Sequence, residues 1–175
     1  MKLLSDEIVS LRAVEPTDGD AMWEIETDSR QWIENGMMAP YSRHNLREYA
    51  ENYDADPIHA GQIRLVIDGK NEHEILGLID LYEISALLRT GFIGIYIKEE
   101  FRRKGFGTRA LTLMERYAAL LLNLRIVGAK VASRNNPSRR LFEKSGYAQN
   151  GVLPGWLLSG TVEDSLIIYT KRLLN

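Results

Sequence analysis

The segment Arg102-Arg103-Lys104-Gly105-Phe106-Gly107 lies between a strand-like run at residues 91–97 and a helix-like run at residues 108–122, and it constrains the chain more than any other. Gly105 and Gly107 lack the side chains that hold a backbone away from a bulky anion, so consecutive N–H groups can converge on one phosphate. The helix that follows aims the positive end of its dipole at the same place. Arg102, Arg103 and Lys104 at the mouth favour a ligand with more than one phosphate charge. Residues 102–108 therefore read as a pyrophosphate cradle that closes on Thr108.

Spacing separates the kinds of phosphate loop. A nucleotide-triphosphate P-loop requires Gly, four residues, then Gly-Lys and Ser or Thr, which this segment lacks. A dinucleotide turn requires Gly-x-Gly-x-x-Gly or Ala, and Gly105, Gly107 and Ala110 satisfy that weak form. The acidic residue expected about 20 positions on is missing, because residues 127–132 read Val-Gly-Ala-Lys-Val-Ala.

The 175 residues suit a single domain spanning 1–175, long enough to bury roughly two-thirds of the unfolded surface. With 45% hydrophobic and 26% charged residues, the composition is that of a globular chain rather than a disordered one. A net charge of −2 argues against nucleic acid as a partner, since such binding needs a basic face. The absence of cysteine excludes disulfides, a thiolate zinc site and a cysteine nucleophile. His44, His59 and His73 stand singly, as surface histidines do, so no metal is expected. Asp6 and Glu7 come too early for a signal-peptide core, and apolar clusters such as residues 118–122 are too short to span a bilayer. These features predict a cytoplasmic protein with no membrane partner.

Along the chain, residues 8–12 predict a strand and Pro16-Thr17-Asp18 a helix start. A second helix is expected from Ser42, carrying Leu46, Tyr49, Ala50 and Tyr53 on one stripe. Residues 62–68, 75–84 and 90–97 predict three antiparallel strands, the first two joined through Asp68-Gly69-Lys70-Asn71. Leu111, Met114, Ala118 and Leu121 give the next helix one buried face, and residues 125–132 form the following strand. A strand, helix, strand sequence favours a right-handed crossover and a parallel pair. Asn136-Pro137 suits a cap with proline at the first helical position, Gly146 a stop, and residues 147–152 and 165–171 two closing strands linked through Ser159-Gly160.

Two blocks resemble a known family. Arg102-x-x-Gly105-x-Gly107, preceded by Ile95-Tyr96-Ile97-Lys98-Glu99-Glu100-Phe101, is similar to the signature loop of the GCN5-related N-acetyltransferases (GNAT), which holds the pyrophosphate of acetyl-coenzyme A. Asn135-x-x-Ser138, continuing through Arg140-Leu141-Phe142-Glu143-Lys144-Ser145-Gly146-Tyr147, resembles the segment lining the cofactor's other side. With residues 75–80 and 160–169 the likeness covers most of the chain. Leu11-Arg12 and residues 78–84 resemble the ribosomal-protein and spermidine acetyltransferase branch.

The resemblance implies a mixed α/β GNAT fold: a mostly antiparallel twisted sheet of about seven strands, one parallel pair splayed at the cofactor site, and about four flanking helices. It implies acetyl-CoA as cosubstrate, with backbone contacts at Ile95, Tyr96 and Ile97 and the loop Arg102, Arg103, Lys104, Gly105, Phe106, Gly107 and Thr108, together with Asn135 and Ser138. The reaction it implies is transfer of acetyl to a primary amine of a polyamine, protein N-terminus or small molecule. A catalytically weak acyl-CoA sensor or interaction module is the alternative, and pairing into a homodimer through the C-terminal strands is a further expectation.

An amine must lose a proton and expel a thiolate; because an ammonium has pKa about 10.4 and a thiol about 8.5, the base is the harder demand. Asp80 and Glu83 are the candidates, on opposite faces of a regular strand unless it bends between them. Many relatives place an acidic tyrosine where this chain has Phe142, which cannot donate, so Tyr147 is the replacement candidate. Acids that relatives place before a Pro-Tyr pair are replaced by Met38-Ala39, and Glu24, Glu26, Asp28 and Glu34 read as an exposed helix face. Tyr41 completes the substrate-side loop.

Overall fold

The computed structural model describes residues 3–27, 39–54, 56–70, 74–159 and 161–173. Asp28, Glu34, Met38, Asn71, His73 and Gly160, named above, lie outside them. Seven strands, β1 (Val9–Ala13), β2 (Ile63–Gly69), β3 (Glu74–Ser85), β4 (Thr90–Ile97), β5 (Ile126–Ala132), β6 (Ala148–Ser159) and β7 (Val162–Arg172), form one sheet in the order β1-β2-β3-β4-β5-β7-β6. Every neighbouring pair is antiparallel except β4 and β5. That parallel pair flanks the crossover helix α3 (Phe106–Leu120), as the strand, helix, strand order requires.

Strand alternation sorts the core onto two faces. One face packs Ile79, Leu81, Ile93, Val127 and Ala129 against Leu111, Met114 and Ala118 of α3 and Phe142 of α4 (Asn136–Lys144). The other packs Val66 and Leu78 against Met22 and Ile25 of α1 (Gly19–Glu26) and Leu46 and Ala50 of α2 (Arg43–Glu51).

Local chemistry sets the helix ends. Ser42 caps α2 by accepting from the Asn45 N–H at 3.0 Å, with Asn45 Oδ1 accepting in return from the Ser42 N–H at 3.3 Å. Asn135 caps α4 by accepting from the Ser138 N–H at 3.1 Å, one residue earlier than Asn136-Pro137 suggested. Gly146 ends that segment at φ +86°. Pro16–Asp18 forms a 3-10 turn ahead of α1, and Arg12 locks it by donating to Asp18 at 2.7 and 2.9 Å and to Asp68 at 2.6 Å.

Two boundaries differ from the sequence reading in ways that matter. Helix α3 begins at Phe106, so Phe106, Gly107 and Thr108 are its first turn rather than loop, and Leu121 lies past its end, 63% exposed, while Tyr117 takes a buried place. Strands β6 and β7 are longer than expected, because bulges between Gln149 and Gly151 and between Leu153 and Leu157 let β6 carry extra residues while staying paired.

Candidate functional site

At the start of α3 the chain turns through two left-handed residues, Arg103 at φ +61° and Gly105 at φ +85°. Gly105 is the N-cap and offers no side-chain acceptor. The Arg102 N–H donates to Glu99 O at 3.2 Å and the Arg109 N–H to Gly105 O at 3.2 Å. Between them, among the described residues, the N–H groups of residues 103–108 have no hydrogen-bond partner. Six partnerless amides at a helix N-terminus, following a turn of this type, make a concave donor array suited to a diphosphate. The cations differ in disposition. Arg102 folds back, its Nε donating to Ile97 O at 2.8 Å and its guanidinium lying 5.4 Å from the Tyr96 ring; Lys104 sits 5.4 Å from the Phe101 ring; Arg103 is exposed.

A gap opens in the sheet beside this array. Strands β4 and β5 pair at Thr90 with Ile126, Gly91 with Val127 and Phe92 with Gly128, and there the ladder stops. Beyond it β5 stays on β7 as far as Ala132, and β4 stays on β3 as far as Ile97. Among the described residues, no strand covers the β4 edge along Ile95, Tyr96 and Ile97. The Phe92 ring lies across Gly128, where a Cβ would approach it to 2.7 Å, and so occupies the point where the two strands part.

On the sheet face shared with α1 and α2, the floor at that point is polar. The Tyr82 and Phe92 rings stack at 6.0 Å, with Gly94 leaving room beside Tyr82 and Asp80. Lys130 of β5 reaches across the parting strands, its Nζ 4.5 Å from the Phe92 ring and 5.8 Å from Tyr82, and donates to Glu83 at 2.6 Å. Glu83 takes φ +50° where the β3–β4 register shifts between Tyr82 and Ser85, which is the bend that Asp80 and Glu83 need to serve one cleft. Asp80 accepts two bonds from Arg64, at 2.7 and 2.8 Å, and Arg64 also donates to Glu26 at 2.7 Å. Burial, then the Glu83 and Asp80 charges, push the Tyr82 phenol up to about 12.

Sequence reasoning missed Arg64, Lys130 and Tyr82. A cation inside a strand pattern reads as an outward charge; only the sheet register shows that Arg64 pairs with Asp80 across β2 and β3 and that Lys130 follows Gly128 at the gap. Glu26 corrects the exposed-face reading: it is 9% exposed and salted to Arg64, whereas Glu24 is exposed. Tyr41 is exposed, and so are His44, beside Glu48, and His59, beside Asp54. Among the described residues no group of three His, Cys, Asp or Glu side chains is placed to hold a metal, and no helix is long and apolar enough to cross a membrane.

On the far side of the gap, Asn135 Oδ1 is engaged as the α4 cap and Ser138 is half-buried in the helix's first turn. Phe142 is 2% exposed, stacked 6.5 Å from Tyr169 and edge-on to Tyr147 at 5.0 Å. Tyr147 is buried too. Its hydroxyl and Glu115 Oε1 are enclosed together, and burial, then the Glu115 charge and hydrogen bonding to that carboxylate, drive the phenol's pKa far upward.

The family profile described as the acetyltransferase (GNAT) domain matches residues 9–148. The chain belongs to the GNAT acetyltransferase family. It is 27% identical over 159 residues to the probable N-acetyltransferase YjcK of Bacillus subtilis, covering 86% of each chain. It is 28% identical over 177 residues to the putative ribosomal N-acetyltransferase YdaF of the same species, covering 94% of this GNAT chain and 91% of that one. In fold it is similar to spermidine N-acetyltransferase from Vibrio cholerae solved with CoA and spermine, with TM-score 0.83 at 22% identity and coverage of 96% and 97%. This GNAT protein is an acetyl-CoA-dependent N-acetyltransferase acting on an amine. The partnerless amides of 103–108 beside an uncovered strand edge fit that cosubstrate: one feature suits its diphosphate, the other its amide-bearing arm.

Proposed function

We propose that the chain transfers acetyl from acetyl-CoA to a primary amine carrying one positive charge, such as a protein N-terminus or a small amine, in preference to a polyamine. Backbone N–H groups of Arg103, Lys104, Gly105, Phe106, Gly107 and Thr108 would hold the diphosphate, with Arg102 bracing the loop against β4. Ile95, Tyr96 and Ile97 would pair with the pantetheine amides, and Asn135 and Ser138 would line the opposite wall. The thioester then comes to the point where β4 and β5 part, above Gly94. Glu83 accepts the acceptor's proton, and Asp80, tied to Arg64, shapes the pocket. Tyr147 is set aside as the acid because its hydroxyl is enclosed in the core.

The observation that carries the acceptor class is the pairing of the cleft's own acids. Arg64 offsets one of the two charges of Glu26 and Asp80, and Lys130 offsets Glu83. Among the described residues a polycation therefore meets little uncompensated negative charge here, while the Glu83 carboxylate, 55% exposed, can still accept a bond from one ammonium beside Lys130. The protein is placed in the cytoplasm, where acetyl-CoA is available, and the 1–175 chain acts as one domain. A homodimer through β6 and β7 is supported by Val152, Leu153, Trp156, Leu158 and Val162, all between 37% and 66% exposed along that edge hairpin.

Thiol release measured over a panel of N-terminal peptides, small monoamines and polyamines tests the reading. Turnover should be highest with a monoamine or peptide; a preference for spermidine would overturn the acceptor class. Acetyl-CoA should raise the melting temperature saturably, and Gly107→Val should abolish that rise. An unchanged rise would remove the cradle.

A further inference from the structure

The family's usual acid position is Phe142 and Tyr147 is enclosed, so neither position offers the departing sulfur a proton, and burial pushes the Tyr82 phenol at the gap up to about 12, a weaker acid than an ordinary ammonium. One cation does stand where the two strands part. Lys130 follows the last β4–β5 pair by two residues on β5, and its Nζ leans back over Phe92, across the line along which an arm inserted in the gap would run. The side chain is 30% exposed, and its ammonium has donors to spare after the bond to Glu83. An alkylammonium ion is an acid of nearly the strength of a phenol, about 10.4 against about 10 in model compounds, so the substitution is chemically even.

Resting on the acetyl-transfer reading above, we infer that Lys130 is the catalytic acid that protonates the departing coenzyme A thiolate, with Glu83 as the paired base. The atoms balance. The acceptor ammonium gives one proton to the Glu83 carboxylate, and the free amine attacks the thioester carbonyl carbon, forming the C–N bond. As the C–S bond breaks, its electron pair leaves on sulfur, which takes a proton from Lys130 Nζ. Glu83 returns its proton to the neutral lysine across their 2.6 Å contact, and the second amine proton leaves to water. Lys130 and Glu83 end in their starting charge states, and the net products are the amide, the thiol and one proton.

The groups facing Nζ are Glu83 and Tyr82 of β3 and the Phe92 ring of β4, with the Asp80–Arg64 pair two residues from Tyr82 on the same strand. On β7 its register partner is Ile168, which carries no charge. Among the described residues, Glu83 is the one charged side chain paired with Nζ.

Three proteins decide the matter: wild type, Lys130→Met and Lys130→Arg, each read for turnover, acetyl-CoA affinity and the pKa of bound coenzyme A's thiol, followed by its ultraviolet thiolate absorbance. General acid–base catalysis contributes about 10²–10⁴-fold, and a thiolate is already a fair leaving group, so both variants should lose about 100-fold in turnover with unchanged acetyl-CoA affinity. Arginine keeps the charge but gives up no proton. The bound thiol should therefore stay about one pKa unit lower in wild type and Lys130→Arg than in Lys130→Met. Turnover restored by Lys130→Arg would show that Lys130 only anchors Glu83, and an unchanged thiol pKa in Lys130→Met would place Nζ away from the sulfur; either result overturns the assignment. A wild-type protein that binds acetyl-CoA but releases no thiol with any amine overturns both this assignment and the transfer reading.

Discussion

Replacing Arg64 by methionine removes the cation between two carboxylates while keeping an unbranched chain of similar reach. Arg64 makes three short charge-assisted bonds, two to Asp80 and one to Glu26, whose side chains are 30% and 9% exposed. At an effective dielectric near 20, each pair about 4 Å apart contributes about 4 kcal/mol of attraction, much of it offset by the cost of drying the charges. Removing one partner of a buried pair costs about 3–5 kcal/mol, because the stranded charge keeps the desolvation cost without the attraction. Asp80 can be partly rehydrated, which brings the expected loss for Arg64→Met to about 3 kcal/mol. For a chain of this length that corresponds to a fall in melting temperature of about 6–12 °C. Calorimetry at neutral pH measures it. Adding Glu26→Gln and Asp80→Asn to Arg64→Met should recover most of the stability. A single variant within about 1 kcal/mol of wild type, or a triple variant no better than the single one, would refute the view that charge stranding governs this site.

Two further outcomes follow from buried groups. Tyr147→Phe deletes a hydroxyl enclosed beside Glu115 and away from the gap, so turnover should stay within about twofold of wild type; a hundredfold loss would restore Tyr147 as the acid. Asp18 is held below the ordinary carboxylate range: burial works to raise it, but the hydrogen bonds from Arg12 and the Glu15 N–H and the Arg12 charge together outweigh that. A depressed folded value means stability that is full above the unfolded value of about 3.9 and lost as pH falls through the folded one, so Asp18→Asn should flatten the acid limb of the stability curve. An unchanged limb in urea melts at pH 2–4 would remove Asp18 from that account.

The sequence by itself determined the parts whose information is local. Gly105 and Gly107 ahead of a helical pattern announced the donor array, Ser42 and Gly146 marked helix ends, and alternating apolar residues marked β2 to β5, because caps, left-handed turns and strand periodicity depend on residues a few positions apart. The tertiary structure alone decided what meets across the gap. Register brought Arg64 to Asp80, the bulge at Glu83 swung that carboxylate toward Lys130, and the ladder's end at Phe92 and Gly128 set where the cleft opens. Those partners lie 16, 47 and 36 positions apart in the chain, and no local preference encodes which of several like charges will be neighbours once strands pair. The same physics put Tyr147 out of play: a tyrosine one residue past a glycine stop looks available in a string of letters, and only packing against Phe142, Glu115 and Lys171 shows that it is enclosed.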